Sequence, residues 1–168
     1  SAIAMKESGS LVSEQGVKYR KYNIKNPDSY ATGFTQIMPY SFKSFYESTT
    51  GKDFKEHLRT SLMINSPASI WMADRYYVLY NDMLKLNKEI RIAKKEGLEL
   101  SSLYRNKKNI LKEMSSIIDK SGISRGESQE RLSSDVMERY FSKFGDWAKV
   151  AIAWYAGPGS NAIINFDE

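Results

Sequence analysis

Two apolar stripes at helical spacing, separated by a single glycine, constrain the fold of this chain more than any other feature of its sequence. The first stripe repeats at alternating steps of four and three residues in a charged stretch: Leu79, Met83, Leu86 and Ile90. The second stripe has the same character: Leu103, Ile110, Met114 and Ile117. Such spacing is typical of one face of a helix. Gly97 and Gly122 end the two stripes, so the pattern predicts an antiparallel helical hairpin.

The length and net charge of the chain limit the number of domains and the class of partner that we expect. The 168 residues, 41% of them hydrophobic, are enough for one buried core and give no reason to expect a second domain. The net charge of +5 favours a polyanionic partner such as nucleic acid, an anionic membrane or the carboxylate-bearing bacterial wall. Acidic residues interleave with the basic ones and no nucleic-acid reader motif is present, so we expect no nucleic acid. No apolar run approaches the ~18 residues of a membrane span.

Metal and cofactor chemistry finds little support in the residue types. The chain has no cysteine, which excludes disulfides, zinc thiolates and a thiol nucleophile. His57 is the only histidine, so we expect no metal site and interpret His57 as a solvated helix residue. The glycines near residues 51 and 157–159 do not fit the phosphate-loop or dinucleotide patterns. We therefore predict no cofactor.

Two short stretches carry the chemistry that we expect to face each other. Glu7 follows the apolar residues 2–5, and a glutamate held against apolar groups has its pKa raised toward the range where it can donate a proton near neutrality. Residues 33–39 supply a glycine turn, an apolar wall and the amide of Gln36 before Pro39, which can open a helix. The sequence thus favours Glu7 as a general acid.

Those stretches resemble part of a known signature. Glu7-Ser8, Gly33-Phe34-Thr35-Gln36-Ile37-Met38-Pro39 and Ala153-Trp154-Tyr155-Ala156-Gly157-Pro158-Gly159 are similar, in order and rough spacing, to the three motifs of the soluble lytic transglycosylase (SLT) domain, a branch of the lysozyme-like superfamily. The chain departs from that pattern at Ala156, where the family usually has asparagine.

The resemblance implies a fold. It implies a single mainly α, lysozyme-like domain (goose-type/SLT) over residues 1–168, with residues 82–134 as a helical hairpin inserted into it. Family members pass almost directly from the helix near Tyr77 to a segment like residues 140–147. The insertion is either a brace, which we favour, or an arm that docks a protein partner or covers a glycan cleft. As a brace or arm it would leave a core that closes without it.

The resemblance also implies an activity. Family members cleave the β-1,4 bond between N-acetylmuramic acid and N-acetylglucosamine in peptidoglycan and leave a 1,6-anhydro end. Glu7 would be acid and then base, Gln36 would contact the sugar, and Tyr155 would orient the carboxylate. Ser29 is the nearest match to the family's serine before the glycine motif, and Tyr30 could stack on a sugar face. Such a protein acts in the periplasm or cell envelope, or from a phage virion.

The residues leave two other functions open. Neither motif holds the second carboxylate that ordinary glycosidases use, which agrees with a substrate that supplies its own nucleophile. A hydrolytic muramidase would use the same glutamate with water. A non-catalytic module that binds the wall or assists assembly would keep the fold and use the charged hairpin for its partners.

Overall fold

The fold is mainly helical. The computed structural model describes residue 3, residues 24–61 and residues 67–167, with the backbone alone at 67–69. In chain order the helices of these ranges are α1 Ser41–Thr50, α2 Phe54–Ser61, α3 Pro67–Glu96, α4 Ser101–Ser121, α5 Gly126–Phe144, α6 Trp147–Ala156 and α7 Asn161–Ile164. Apart from the isolated bridges Lys25–Thr32 and Thr32–Ile37, these ranges contain no β structure. The predicted mainly α class is confirmed.

Helices α3 and α4 form the longest packed pair. α3 ends before Gly97, whose φ of 67° is a conformation that glycine adopts without strain. The chain then returns along α3: Arg75 pairs with Glu113 near one end of the pair, and the Lys94 ammonium lies over the Tyr104 ring near the other. The two helices are therefore antiparallel, as the stripes predicted. All four residues of the first stripe are buried: Leu79, Met83, Leu86 and Ile90.

One core joins this pair to the rest of the chain. Met114, Ile117 and Ile118 of α4 and Leu132 of α5 belong to the same buried cluster as residues of α1, α2 and α3, among them Phe42, Phe54, Leu58 and Tyr76. The expectation that the core closes without residues 82–134 is therefore wrong. Neither proposed boundary falls at a structural break, since residue 82 lies within α3 and residue 134 within α5. Both helices continue there because no glycine or proline interrupts them.

Burial corrects the expectation for His57. His57 is not a solvated residue: its ring lies 4.6 Å from the Tyr46 ring and 5.8 Å from the Phe54 ring, centroid to centroid. Burial lowers the pKa of His57 because it disfavours the charged imidazolium.

Candidate functional site

The glycine motif forms a tight turn. Thr32 and Ile37 exchange two backbone hydrogen bonds, of 2.9 and 3.0 Å, which leaves residues 33–36 to reverse the chain. Gly33 has a φ of 83°, and Gln36 also has a positive φ, 53°. The Gln36 side-chain amide donates to the Gly33 carbonyl at 2.9 Å. This side chain therefore closes its own turn in the described structure.

Side chains of helix α5 form hydrogen bonds with this turn. Gln129 is fully buried; its amide oxygen accepts from the Phe34 N–H at 3.3 Å and its amide nitrogen donates to the Ser124 carbonyl at 2.7 Å. One turn further along α5, the Ser133 hydroxyl lies 2.8 Å from that of Thr35. A Cβ on Gly33 would fall 1.6 Å from Gln129 Oε1. Gly33 is thus required both by its backbone angle and by the close approach of Gln129.

Helix α6 also forms a hydrogen bond with this turn. The Trp154 indole N–H donates to the Thr35 carbonyl at 3.1 Å. The Trp154 ring also packs against Phe45 of α1, with centroids 5.2 Å apart. At the end of the turn the Tyr76 hydroxyl donates to the Pro39 carbonyl at 2.7 Å. Two of the three stretches that carry the resemblance, residues 33–39 and residues 153–159, are therefore in direct contact.

A cleft of about 620 Å³ opens where these elements meet. Its walls come from the start of α1, the end of α5 and the end of α6. Besides small and aliphatic residues, three chemical types of side chain line it. The aromatic ones are Tyr40, Phe45, Tyr140, Trp154 and Tyr155; the hydroxyl-bearing serines are Ser41, Ser44 and Ser48; the cations are Arg139 and Lys143. Among the described residues, no carboxylate lines this cleft.

Burial acts on two phenols of the cleft. Burial raises the pKa of Tyr40, and the neighbouring Tyr80 raises it further. Burial also raises the pKa of Tyr140, against the opposing effect of Arg139. The Arg139 guanidinium donates to the Ser48 carbonyl at 2.5 Å, which ties the end of α5 to α1 across the cleft. The cleft thus presents the neutral phenols of Tyr40 and Tyr140 and the positive charge of Arg139 and Lys143 to a ligand.

The structure separates the residues that we predicted for the site. Tyr155 lines the cleft with 63% of its surface exposed. Gln36 lies in the turn next to the cleft but is not among its lining residues. Ser29 and Tyr30 belong to the preceding turn, in which the Ser29 hydroxyl accepts from the Ala31 N–H and the Tyr30 N–H donates to the Asn26 carbonyl. Neither lines the cleft. Glu7 lies outside the described residues.

Sequence reasoning missed the residues of α5. Gln129 and Ser133 were assigned to the insertion, and Arg139 was not singled out. One signal was present: Gln129 and Ser133 are one helical turn apart on the same face as Leu132 and Val136. Polar residues at buried positions of an apolar stripe need hydrogen-bond partners, which indicates contact with another segment.

Comparison of this chain with protein-family models, with curated proteins and with solved structures found no match in any of the three. In residues 24–61 and 67–167, no helix is both long enough and apolar enough to cross a membrane. The same part of the chain contains no group of three or more His, Cys, Asp or Glu side chains arranged to hold a metal ion.

Proposed function

We propose that this chain is a peptidoglycan lytic transglycosylase with a lysozyme-like fold, in which residues 82–134 are added to the helices of that fold and share their core. The observation that carries the proposal is the contact between residues 33–39 and residues 153–159 at one cleft. These are the stretches that resemble the signature of that family, and they lie 119 positions apart where Trp154 meets Thr35.

The chemistry of the cleft suits a glycan. Aromatic faces such as those of Tyr140 and Tyr155 can pack on the apolar faces of sugar rings, and hydroxyls can exchange hydrogen bonds with sugar hydroxyls. Arg139 and Lys143 complement the lactyl and peptide carboxylates of muramic acid units. A volume of about 620 Å³ is within the usual range for a ligand site.

The proposed reaction uses one carboxyl group twice. Glu7 gives its proton to the glycosidic oxygen as the bond from that oxygen to the muramyl anomeric carbon breaks. The 6-hydroxyl oxygen of the same muramyl unit then bonds to that carbon, and its proton passes to Glu7. No water enters, and the enzyme regains its starting protonation state. Tyr155 acts in this proposal as a positioning residue for the carboxylate.

The site of action follows from the substrate. Peptidoglycan lies in the bacterial envelope, so the chain would work there, either as a cellular protein or as part of a phage particle that opens the wall.

Mass spectrometry of products from purified peptidoglycan tests the proposal. We expect 1,6-anhydromuramyl ends with the natural chain and a loss of ~10²–10⁴-fold in rate with Glu7→Gln, the usual cost of removing a general acid–base group. Glu127→Gln, an exposed position at the start of α5, is the matched control and should retain full activity. Reducing muramic acid ends would identify a hydrolase instead, and wall binding without products would identify a non-catalytic module.

A further inference from the structure

The positive charge of this chain is concentrated at the far end of the α3–α4 pair. Residues 85–108, called the hairpin tip from here on, contain eight Lys and Arg residues against three Glu, a net charge of +5. The whole chain also carries +5, so everything outside the hairpin tip is neutral on balance. Nearly all these cations are exposed, with Lys107 half-buried. The charge excess therefore belongs to one segment of the chain.

The outer face of α3 carries much of this charge. Lys88, Arg91 and Lys95 lie on the side of α3 opposite the buried residues Leu86 and Ile90. Among the described residues, none of these three cations has a carboxylate within 4.0 Å. Of the three glutamates in the tip, Glu99 is engaged at the start of α4, where its carboxylate accepts from the Ser101 N–H at 3.0 Å. The cations on this face are thus available to an external anion.

Two large apolar side chains of the hairpin tip are exposed, one of them among these cations. Ile92 lies between Lys88, Arg91 and Lys95 with 56% of its surface exposed, and Leu98 in the turn is exposed to the same degree. A soluble polyanion gains nothing from exposed isoleucine and leucine. A bilayer surface accepts both groups, because lipid phosphates attract the cations while apolar side chains enter the boundary between headgroups and acyl chains.

We propose that the hairpin tip is a docking surface for an anionic lipid bilayer, which it contacts through Lys88, Arg91 and Lys95 around Ile92 and Leu98. The chain would lie on the bilayer without spanning it. This inference does not depend on glycan cleavage, because the hairpin tip is separate from the cleft lined by Tyr155.

Vesicle co-sedimentation with the full 168-residue chain tests this surface. We expect binding to vesicles of phosphatidylglycerol mixed with phosphatidylcholine, little binding to phosphatidylcholine alone, and weaker binding at high salt. The triple variant Lys88→Gln, Arg91→Gln, Lys95→Gln should lose on the order of 100-fold in partition coefficient, about fivefold for each cation. The triple variant Lys52→Gln, Lys120→Gln, Arg131→Gln changes the net charge equally at exposed positions elsewhere and should bind nearly as the natural chain does.

A second pair of variants separates a bilayer from a soluble polyanion. Ile92→Ser and Leu98→Ser are exposed substitutions that should preserve the far-ultraviolet circular dichroism spectrum. They should weaken vesicle binding severalfold and leave binding to inorganic polyphosphate unchanged. Equal loss of vesicle binding in the two triple variants would overturn the proposal in favour of nonspecific net charge. Vesicle binding that is unchanged by Ile92→Ser and Leu98→Ser would overturn the proposal in favour of a polyanion site.

Discussion

Replacing Gly33 by alanine tests the contact between the glycine turn and helix α5. The new methyl group would lie 1.6 Å from Gln129 Oε1, so the buried amide must turn away. Doing so breaks its hydrogen bonds with the Phe34 N–H and the Ser124 carbonyl. In addition, alanine is strained at the φ of 83° that Gly33 adopts.

The magnitude follows from these two costs. A buried hydrogen bond broken in this way costs about 1–3 kcal/mol, and the left-handed backbone costs about 1–2 kcal/mol for a residue with a side chain. The free energy of unfolding should therefore fall by about 3–8 kcal/mol for Gly33→Ala, the sum of two hydrogen bonds and one strained residue. Gly51→Ala is the matched control, because Gly51 has a φ of 69° and nothing within 4 Å of its Cβ position. It should cost only the strain, about 1–2 kcal/mol.

Urea denaturation followed by circular dichroism measures both variants, and a double-mutant cycle adds a check if Gly33→Ala is too unstable to study. Gln129→Ala removes the atom that the new methyl group meets. The double variant should lose less stability than the sum of the single variants, by ~2 kcal/mol or more, because the same hydrogen bonds are lost in each single variant. Equal destabilisation by Gly33→Ala and Gly51→Ala would refute the proposed contact.

Three further predictions concern the cleft, the core and the ion pair between the long helices. Tyr155→Phe should lower kcat and kcat/KM together in steady-state assays, since the phenol is proposed to act in the transition state; a change in KM alone would assign it to substrate binding. Met114→Asp should abolish cooperative unfolding of the whole domain, because Met114 is fully buried in the common core. Leu86→Asp, on the part of α3 outside that core, should leave the near-ultraviolet circular dichroism spectrum largely intact. Equal effects of the two variants would contradict the common core. The hydrogen bond from Arg75 lowers the pKa of Glu113 from its ordinary value of 4.5. The ion pair therefore stabilises the folded chain above pH 4.5, and this stabilisation is lost as the pH falls through the lowered pKa of Glu113. In urea denaturation over this pH range, the free energy of unfolding should fall by a small extra amount, below ~1 kcal/mol for so exposed a pair. The Glu113→Gln variant should not show this extra fall.

The helices of the α3–α4 pair could be predicted from the sequence because their determinants are local. The stripe through Leu79, Met83, Leu86 and Ile90 has the helical period, and all four residues are buried. Gly97 and Gly122 end their helices with φ of 67° and 81°. Neighbouring residues set both periodicity and helix termination, so no knowledge of distant contacts was needed.

The face of a helix near the core was harder to predict. Ile70, Ala73, Tyr77 and Tyr80 recur at helical spacing at the start of α3, yet Ile70 is 51% exposed, whereas Tyr76 is fully buried. Large side chains occupy adjacent positions, Ile70 beside Trp71 and Tyr76 beside Tyr77, so two stripes of similar hydrophobicity are possible. The choice was made by packing against Phe54 of α2, whose ring lies 5.4 Å from that of Tyr76.

The site depended on tertiary structure more than any helix did. A glycine turn at residues 33–36 could be expected from Gly33, but its partner Gln129 acts on Phe34 from 95 positions away. Glutamine on a helix surface is ordinarily solvated. Gln129 is buried and hydrogen-bonded to the backbone only because α5 packs against the turn. The cleft likewise exists only because α1, α5 and α6 converge, which brings Arg139 to the Ser48 carbonyl and Trp154 to the Thr35 carbonyl. Local sequence sets which segments can be helices and turns, whereas the burial of polar side chains is decided by whichever distant segment supplies their hydrogen bonds.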